Sequence, residues 1–177
     1  SLVCSFSIAA SVLPSEHSPL SLAYGLQSGS EHPLAKAINA YALGQQTPLR
    51  RLENIKNLPG IGIAGEVNLS PNTQVSVQLQ SLNSLSSEHF YADLFNTLEP
   101  HLQKGQTLSV LVLKGHQQRD VPIGAFVFED EIKAESKTVI SRLQQMGIHT
   151  VMLSGDNNFA ANTVGKALGI NEVFAQV

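Results

Sequence analysis

A chain of 177 residues, 42% of them hydrophobic, is long enough to bury a sizeable core. Eleven Lys and Arg against fourteen Asp and Glu leave a formal charge of -3 with the basic residues scattered, so nothing offers an electrostatic footprint for nucleic acid. The lone cysteine, Cys4, excludes an internal disulfide or a Cys-x-x-Cys metal clamp, and no apolar run reaches membrane-spanning length, so the chain is expected to be soluble.

Residues 1–15 read as an extended leading segment whose larger apolar positions are Val3, Phe6 and Ile8. Ser18 offers an N-cap and Pro19 the first helical position, with Gly29 as the stop. Pro33 starts a second helix. Its Leu34, Ala37, Ile38 and Tyr41 fall at i, i+3, i+4 and i+7, and Gly44 can end it. Strand-like runs follow over 52–58, 63–69 and 73–79, with Ser70-Pro71-Asn72 as a turn signal.

A third helix is predicted over 87–98, with Pro100 as its stop. Runs 108–113 and 121–128 pair as an antiparallel hairpin. After Asp130 the pattern changes to helix 132–146, strand 148–153, helix 158–168 and strand 173–175, and the first of these strands is apolar enough to be buried. Helix–strand alternation is the grammar of a parallel α/β sheet, whereas the earlier part reads as α+β with an antiparallel sheet flanked by helices. The expected divisions are therefore 1–15, 16–127 and 128–177.

Three clusters carry chemistry. Ser154-Gly155-Asp156 lies at the carboxyl end of a predicted parallel strand, the edge where open α/β sheets bind ligands. There Gly155 lets backbone approach a phosphate or hydrated Mg²⁺, although Asp156 would also serve simply as a helix cap. Glu31-His32 stands at the mouth of the second helix. The His32 imidazole can stack on a purine or donate to a phosphate, or it can merely hydrogen-bond the preceding turn. Gly60-Ile61-Gly62 is either a hairpin turn or a bare-backbone floor for a nucleotide. It is neither a dinucleotide fingerprint, since no helix follows, nor a P-loop, since the chain has no Gly-Lys-Ser/Thr. Asp130 with Lys133 reads as a surface helix start or as a hinge between domains.

In this order the motifs resemble the cytoplasmic ATP-binding region of heavy-metal P-type ATPases, the copper-exporting branch above all. Ser30-Glu31-His32-Pro33-Leu34-Ala35 matches that family's Ser-Glu-His-Pro-Leu-Ala signature, and Gly60-Ile61-Gly62 its Gly-x-Gly segment. Asp130-Glu131-Ile132-Lys133 is similar to the stretch where the chain re-enters the phosphorylation domain, and Met152-Leu153-Ser154-Gly155-Asp156-Asn157 to Met-Leu-Thr-Gly-Asp-Asn. The resemblance implies an α+β nucleotide-binding domain joined to part of an α/β, haloacid dehalogenase-like phosphorylation domain. It further implies that Gln27, Glu31, His32, Gly60 and Gly62 meet ATP, and that Ser154, Gly155 and Asp156 serve phosphoryl transfer with Mg²⁺.

The family's Asp-Lys-Thr-Gly-Thr motif is absent from the chain, which implies a fragment of a membrane pump facing the cytoplasm. Its partners would be the remaining phosphorylation, actuator and transmembrane domains, and copper would bind elsewhere in the parent. No metal ligands are assigned in the chain. Gln27 stands where the family usually has Glu, and Gln80 lies near a missing family glycine, where its side chain is expected to crowd the pocket. These two departures keep open a non-catalytic binding module. The same region of a zinc or cadmium pump is a further alternative, whereas the absence of an Asp-x-Asp nucleophile argues against a stand-alone phosphatase.

Overall fold

The computed structural model describes residues 1–85, 92–116, 119–129, 132–155 and 158–177. The chain separates into two units, Ser1–Phe95 with Leu108–Glu129 and Asn96–Thr107 with Asp130–Val177.

The first unit is built on a six-stranded antiparallel sheet. Its strands are β1 (Leu2–Ser7), β2 (Glu53–Leu58), β3 (Gly62–Ser70), β4 (Thr73–Ser81), β5 (Thr107–His116) and β6 (Arg119–Phe128), in the spatial order β1-β6-β5-β4-β3-β2. Two helices, α1 (Pro19–Gln27) and α2 (Pro33–Gly44), cover one face. A third helix, α3 (Ala92–Gln103), lies in sequence between β4 and β5. Leu22, Leu26 and Ile38 from α1 and α2 meet Val77, Leu79, Leu111, Leu113, Ile123 and Phe126 from the sheet, all of them buried. The helical spacing of Leu34, Ala37, Ile38 and Tyr41 places all four against this core.

Ser18 and Ser21 start α1 reciprocally. Ser18 Oγ accepts from Ser21 N at 3.1 Å, and Ser21 Oγ accepts from Ser18 N at 3.0 Å, which satisfies two otherwise orphaned backbone donors.

The leading segment is not a separate piece. Leu2–Ser7 is an edge strand paired with β6, with Leu2 opposite Phe128 and Ser7 opposite Gly124. A pairing between the first and the last strand of the unit leaves no local trace in sequence.

In the second unit α4 (Ala134–Gln145), β7 (Val151–Ser154), α5 (Asn158–Leu168) and β8 (Glu172–Ala175) follow in turn, and β7 pairs with β8 in parallel. The Gln144 amide ties the unit together. Its Nε2 lies 3.0 Å from Thr150 Oγ1, 2.7 Å from the Gly169 carbonyl and 3.1 Å from Asn171 Oδ1. Thr150 N in turn donates to Asn171 Oδ1 at 3.0 Å. These bonds link the end of α4, the approach to β7 and the turn between α5 and β8.

Two expectations fail in the later part of the chain. Pro100 lies inside α3 and does not stop it. It sits in the last turn, where the missing N–H costs one backbone bond, and the chain turns at Gly105, whose φ is +73°. The first residues of the predicted 87–98 helix lie outside the described residues. The other failure is β7, which is not buried: Val151 is 49% and Leu153 71% exposed. Strand residues alternate faces. α5 packs on one face of the pair, where Gly165 lies against Val173, while Val151, Leu153 and Phe174 on the other remain open.

Ser18→Ala removes the cap of α1 and is expected to cost about 1 kcal/mol, read as a lower midpoint in urea unfolding. His17 just before it has a side chain only 6% exposed. Burial, followed by the nearby Arg50 guanidinium, holds its pKa below the ordinary 6.5, against a smaller opposing pull from Glu16. The unfolded chain therefore takes up a proton on this ring more readily than the folded one, and stability falls as pH drops below 6.5. His17→Gln should flatten that part of a stability–pH profile measured by denaturant unfolding.

Candidate functional site

The turn between α1 and α2 is fixed from both sides. The Gln27 carbonyl at the end of α1 accepts from Ser30 N at 3.1 Å and from Asn39 Nδ2, a turn into α2, at 3.0 Å. His32 is the N-cap of α2. Its Nδ1 accepts from Leu34 N at 3.2 Å, and its own N–H donates to Ser30 Oγ at 3.3 Å. Pro33 supplies the pre-set φ of the first helical position. With Nδ1 accepting, the neutral ring carries its proton on Nε2, which is left as a donor for a ligand.

Opposite this turn, β3 and β4 come very close. Gly62 pairs with Gln80, and a Cβ at Gly62 would stand 2.0 Å from the Leu79 carbonyl oxygen. Only glycine fits there. Ser81 N continues the pairing to the Ile61 carbonyl at 3.3 Å. Gly60 turns with φ +75° in the tight loop closed by Ile61 N donating to the Leu58 carbonyl at 3.0 Å.

Between the helix turn and the strand pair lies a cavity of about 360 Å³. Its apolar walls are Leu34, Ile38, Ile61, Ile63, Leu79 and Phe128, and its polar lining is Gln27, Ser30, His32, Asn57, Ser81 and Ser109, with Gly62 and Gln80 completing it. Among the described residues no Asp, Glu, Lys or Arg lines it. A flat, neutral, partly polar body suits this lining better than a bare anion.

The cavity thus gathers Gln27, His32 and Gly62. Gly60 and Glu31 fall outside its lining, and Glu31 pairs on the surface with Lys36 Nζ at 2.6 Å. That pairing uses the i, i+5 reach around the helix start and keeps the Glu31 carboxylate out of the cavity. Gln80 does not crowd the cavity with its side chain. Leu79 faces the helices, so Gln80 points to the far side of the sheet, where its Oε1 accepts from Gln78 Nε2 at 2.6 Å.

In the second unit Ser154 ends β7 and Gly155 follows it, with the Ser154 carbonyl accepting from Val177 N at 3.3 Å. Asp156 lies outside the described residues, as does Asp130. Lys133 is the N-cap residue of α4 and makes no side-chain cap bond.

The sequence reasoning missed Asn57, Ser81 and Ser109. Ser81 and Ser109 face each other across β4 and β5. Only the register of those strands could have shown it.

The family model of haloacid dehalogenase-like hydrolases matches residues 3–177. A copper-exporting P-type ATPase of Vibrio cholerae is 34% identical over 163 residues, which are 92% of this chain and 17% of that protein. The copper-exporting P-type ATPase B of Archaeoglobus fulgidus is 34% identical over 164 residues, 92% of this chain and 22% of that protein. The chain therefore spans about a fifth of the curated relatives it matches.

Among solved structures, a zinc-transporting PIB-type ATPase superposes with TM-score 0.68 at 27% identity, covering 99% of this chain and 26% of that one. The N-domain of a copper-transporting P-type ATPase matches in fold alone, with TM-score 0.52 at 19% identity over 72% of this chain and 98% of that one. These relatives bear out the resemblance carried by the Ser30–Leu34 segment and its companions.

Gly62→Ala should force β3 and β4 apart and cost about 1–3 kcal/mol. Denaturant unfolding measures the loss, and faster amide hydrogen exchange at Ile63 and Ser81 would locate it.

Proposed function

Because the chain belongs to the haloacid dehalogenase-like hydrolases, we propose that it is the nucleotide-binding region, with part of the phosphorylation region, of a copper-translocating P-type ATPase. The carrying observation is the cavity that joins Gln27, His32 and Gly62.

In this proposal the apolar walls take the purine and the His32 ring stacks on it or donates from Nε2, while the strand pair around Gly62 lets a ribose lie against bare backbone. Among the described residues no cation lines the cavity, so the phosphates are neutralised outside it. Phosphoryl transfer depends mainly on positioning and charge neutralisation, and this part of the pump supplies positioning. The catalytic aspartate and the ion path belong to the rest of the parent, on the cytoplasmic side of whose membrane this region would work. Among the described residues no helix is long and apolar enough to cross a membrane.

Asp156, with Ser154 and Gly155 beside it, is the residue proposed to meet Mg²⁺ during transfer, and Asp130 with Lys133 is proposed as the hinge. The described residues hold no group of three or more His, Cys, Asp or Glu suited to a metal, so no step is derived through Mg²⁺. The open apolar face of β7 and β8 supports a further part of the phosphorylation domain packing there in the parent. The likeness to a zinc-transporting pump favours one second reading, the same machine carrying zinc. A module that binds no nucleotide is less well supported now that Gln80 turns its side chain away from the cavity.

Titration of the ¹⁵N-labelled chain with ATP should shift the amides of Gln27, Ser30, His32 and Gly62 at high-micromolar to millimolar nucleotide, about the upper range of KM values. His32→Ala should weaken binding by roughly 1–3 kcal/mol, the usual worth of a base–aromatic stack. The chain alone should show no steady hydrolysis of Mg-ATP. Absence of shifts at several times that nucleotide level would overturn the nucleotide reading.

A further inference from the structure

A second cavity, of about 410 Å³, opens beside the approach to α1, where Glu16, His17 and Arg50 meet Asn68 and Ser70. Gly62 lines the first cavity and Ser70 the second, and they are the two ends of β3. At about 3.3 Å per residue the strand holds them roughly 26 Å apart. The His17 side chain is only 6% exposed, and its Nδ1 has no hydrogen-bond partner among the described residues. Arg50 Nε is buried and unpartnered in the same way.

Other bonds hold both residues in place. His17 N donates to the Pro14 carbonyl at 2.9 Å, and Arg50 Nη2 donates to the Glu16 carbonyl. Ser18, next along the chain, is committed to capping α1. A guanidinium N–H can only donate, and a buried donor left unmet carries a standing cost. The Glu16 carboxylate does not relieve it. It stands 3.8 Å from His17 Nε2, beyond hydrogen-bond reach, on a side chain that is 63% exposed.

A guanidinium beside an imidazole suits oxygen acceptors that carry negative charge. We propose that this second cavity binds a small oxyanion, a phosphate or a carboxylate, whose oxygens accept from Arg50 Nε and His17 Nδ1. Asn68 and Ser70 line the same cavity and can donate from an amide and a hydroxyl. Burial first, and the Arg50 guanidinium second, disfavour a proton on the His17 ring, while Glu16 favours it. The facing end of β3 and its turn bring Asn68, Leu69, Ser70 and Pro71, none of them titratable. An anion beside the ring offsets the repulsion from Arg50. The ligand should therefore bring a proton with it, and binding should tighten as pH falls.

NMR titration of the ¹⁵N-labelled full chain with sulfate, phosphate and acetate at constant ionic strength, with chloride as the control, tests this. Sulfate keeps its charge near neutral pH, so a pH effect seen with it belongs to the protein. Saturable shifts are expected at the amides of Glu16, His17 and Ser70, and the titration of the His17 ring should move upward at saturation. Tighter binding of phosphate and sulfate marks a phosphate group as the natural ligand, and tighter binding of acetate a carboxylate. Arg50→Gln should weaken binding roughly tenfold, the worth of a hydrogen bond to a charged group. Because Arg50 also holds the turn, Glu16→Gln gives a second reading. It keeps the carbonyl, removes a competing negative charge and should tighten binding about two- to fivefold.

Shifts no larger than those from chloride overturn the inference. So does saturable binding that neither Glu16→Gln nor pH alters. Shifts confined to Gln27, His32 and Gly62 overturn it as well, since the anion would then enter the first cavity instead.

Discussion

The elbow between α1 and α2 governs the first unit. Two donors, Ser30 N and Asn39 Nδ2, converge on the Gln27 carbonyl, and the His32 imidazole caps the helix that follows. Backbone groups at helix ends must find partners. Here those partners come from residues at the edge of the cavity. The same bonds that seat Leu22, Leu26 and Ile38 on the sheet therefore set where Gln27 and His32 stand. The helix caps and the cavity lining share one short stretch of chain, and a histidine does a job more often given to serine or aspartate.

Where local chemistry decides the outcome, the sequence was readable. Ser18-Pro19 and Pro33 with Gly44 mark the helix limits because capping and the fixed φ of proline act within one turn. The β3–β4 turn at Ser70-Pro71-Asn72 and the helix Asn158–Leu168 were legible for the same reason. Pro100 misled because an interior proline removes a single backbone bond and can kink a helix without ending it, and here it falls in the last turn. The pairing of Leu2–Ser7 with β6, and the facing of Ser81 with Ser109, depend on residues far apart in sequence and leave no periodic mark.

Of the site, the motifs named Gln27, His32 and Gly62, which the fold brings to one cavity. They could not show that Glu31 would turn outward to Lys36, nor that strand alternation would send the Gln80 side chain to the opposite face. Both depend on which way a residue points, and a motif records only which residue is present. Similarly, the apolar run before Ser154 states that the strand prefers an apolar neighbour on each face, not that the described residues supply one.

The edge of the sheet has a mechanical side. β1 and β6 are antiparallel neighbours, so Ser1 and Glu129 lie together at one end of the pair. Glu129 N donates to the Ser1 carbonyl at 2.9 Å, and the Ser1 amine to the Glu129 carbonyl at 2.7 Å. Force applied through both ends of this unit would load those bonds one rung at a time, as a zipper is opened, rather than shearing all rungs together.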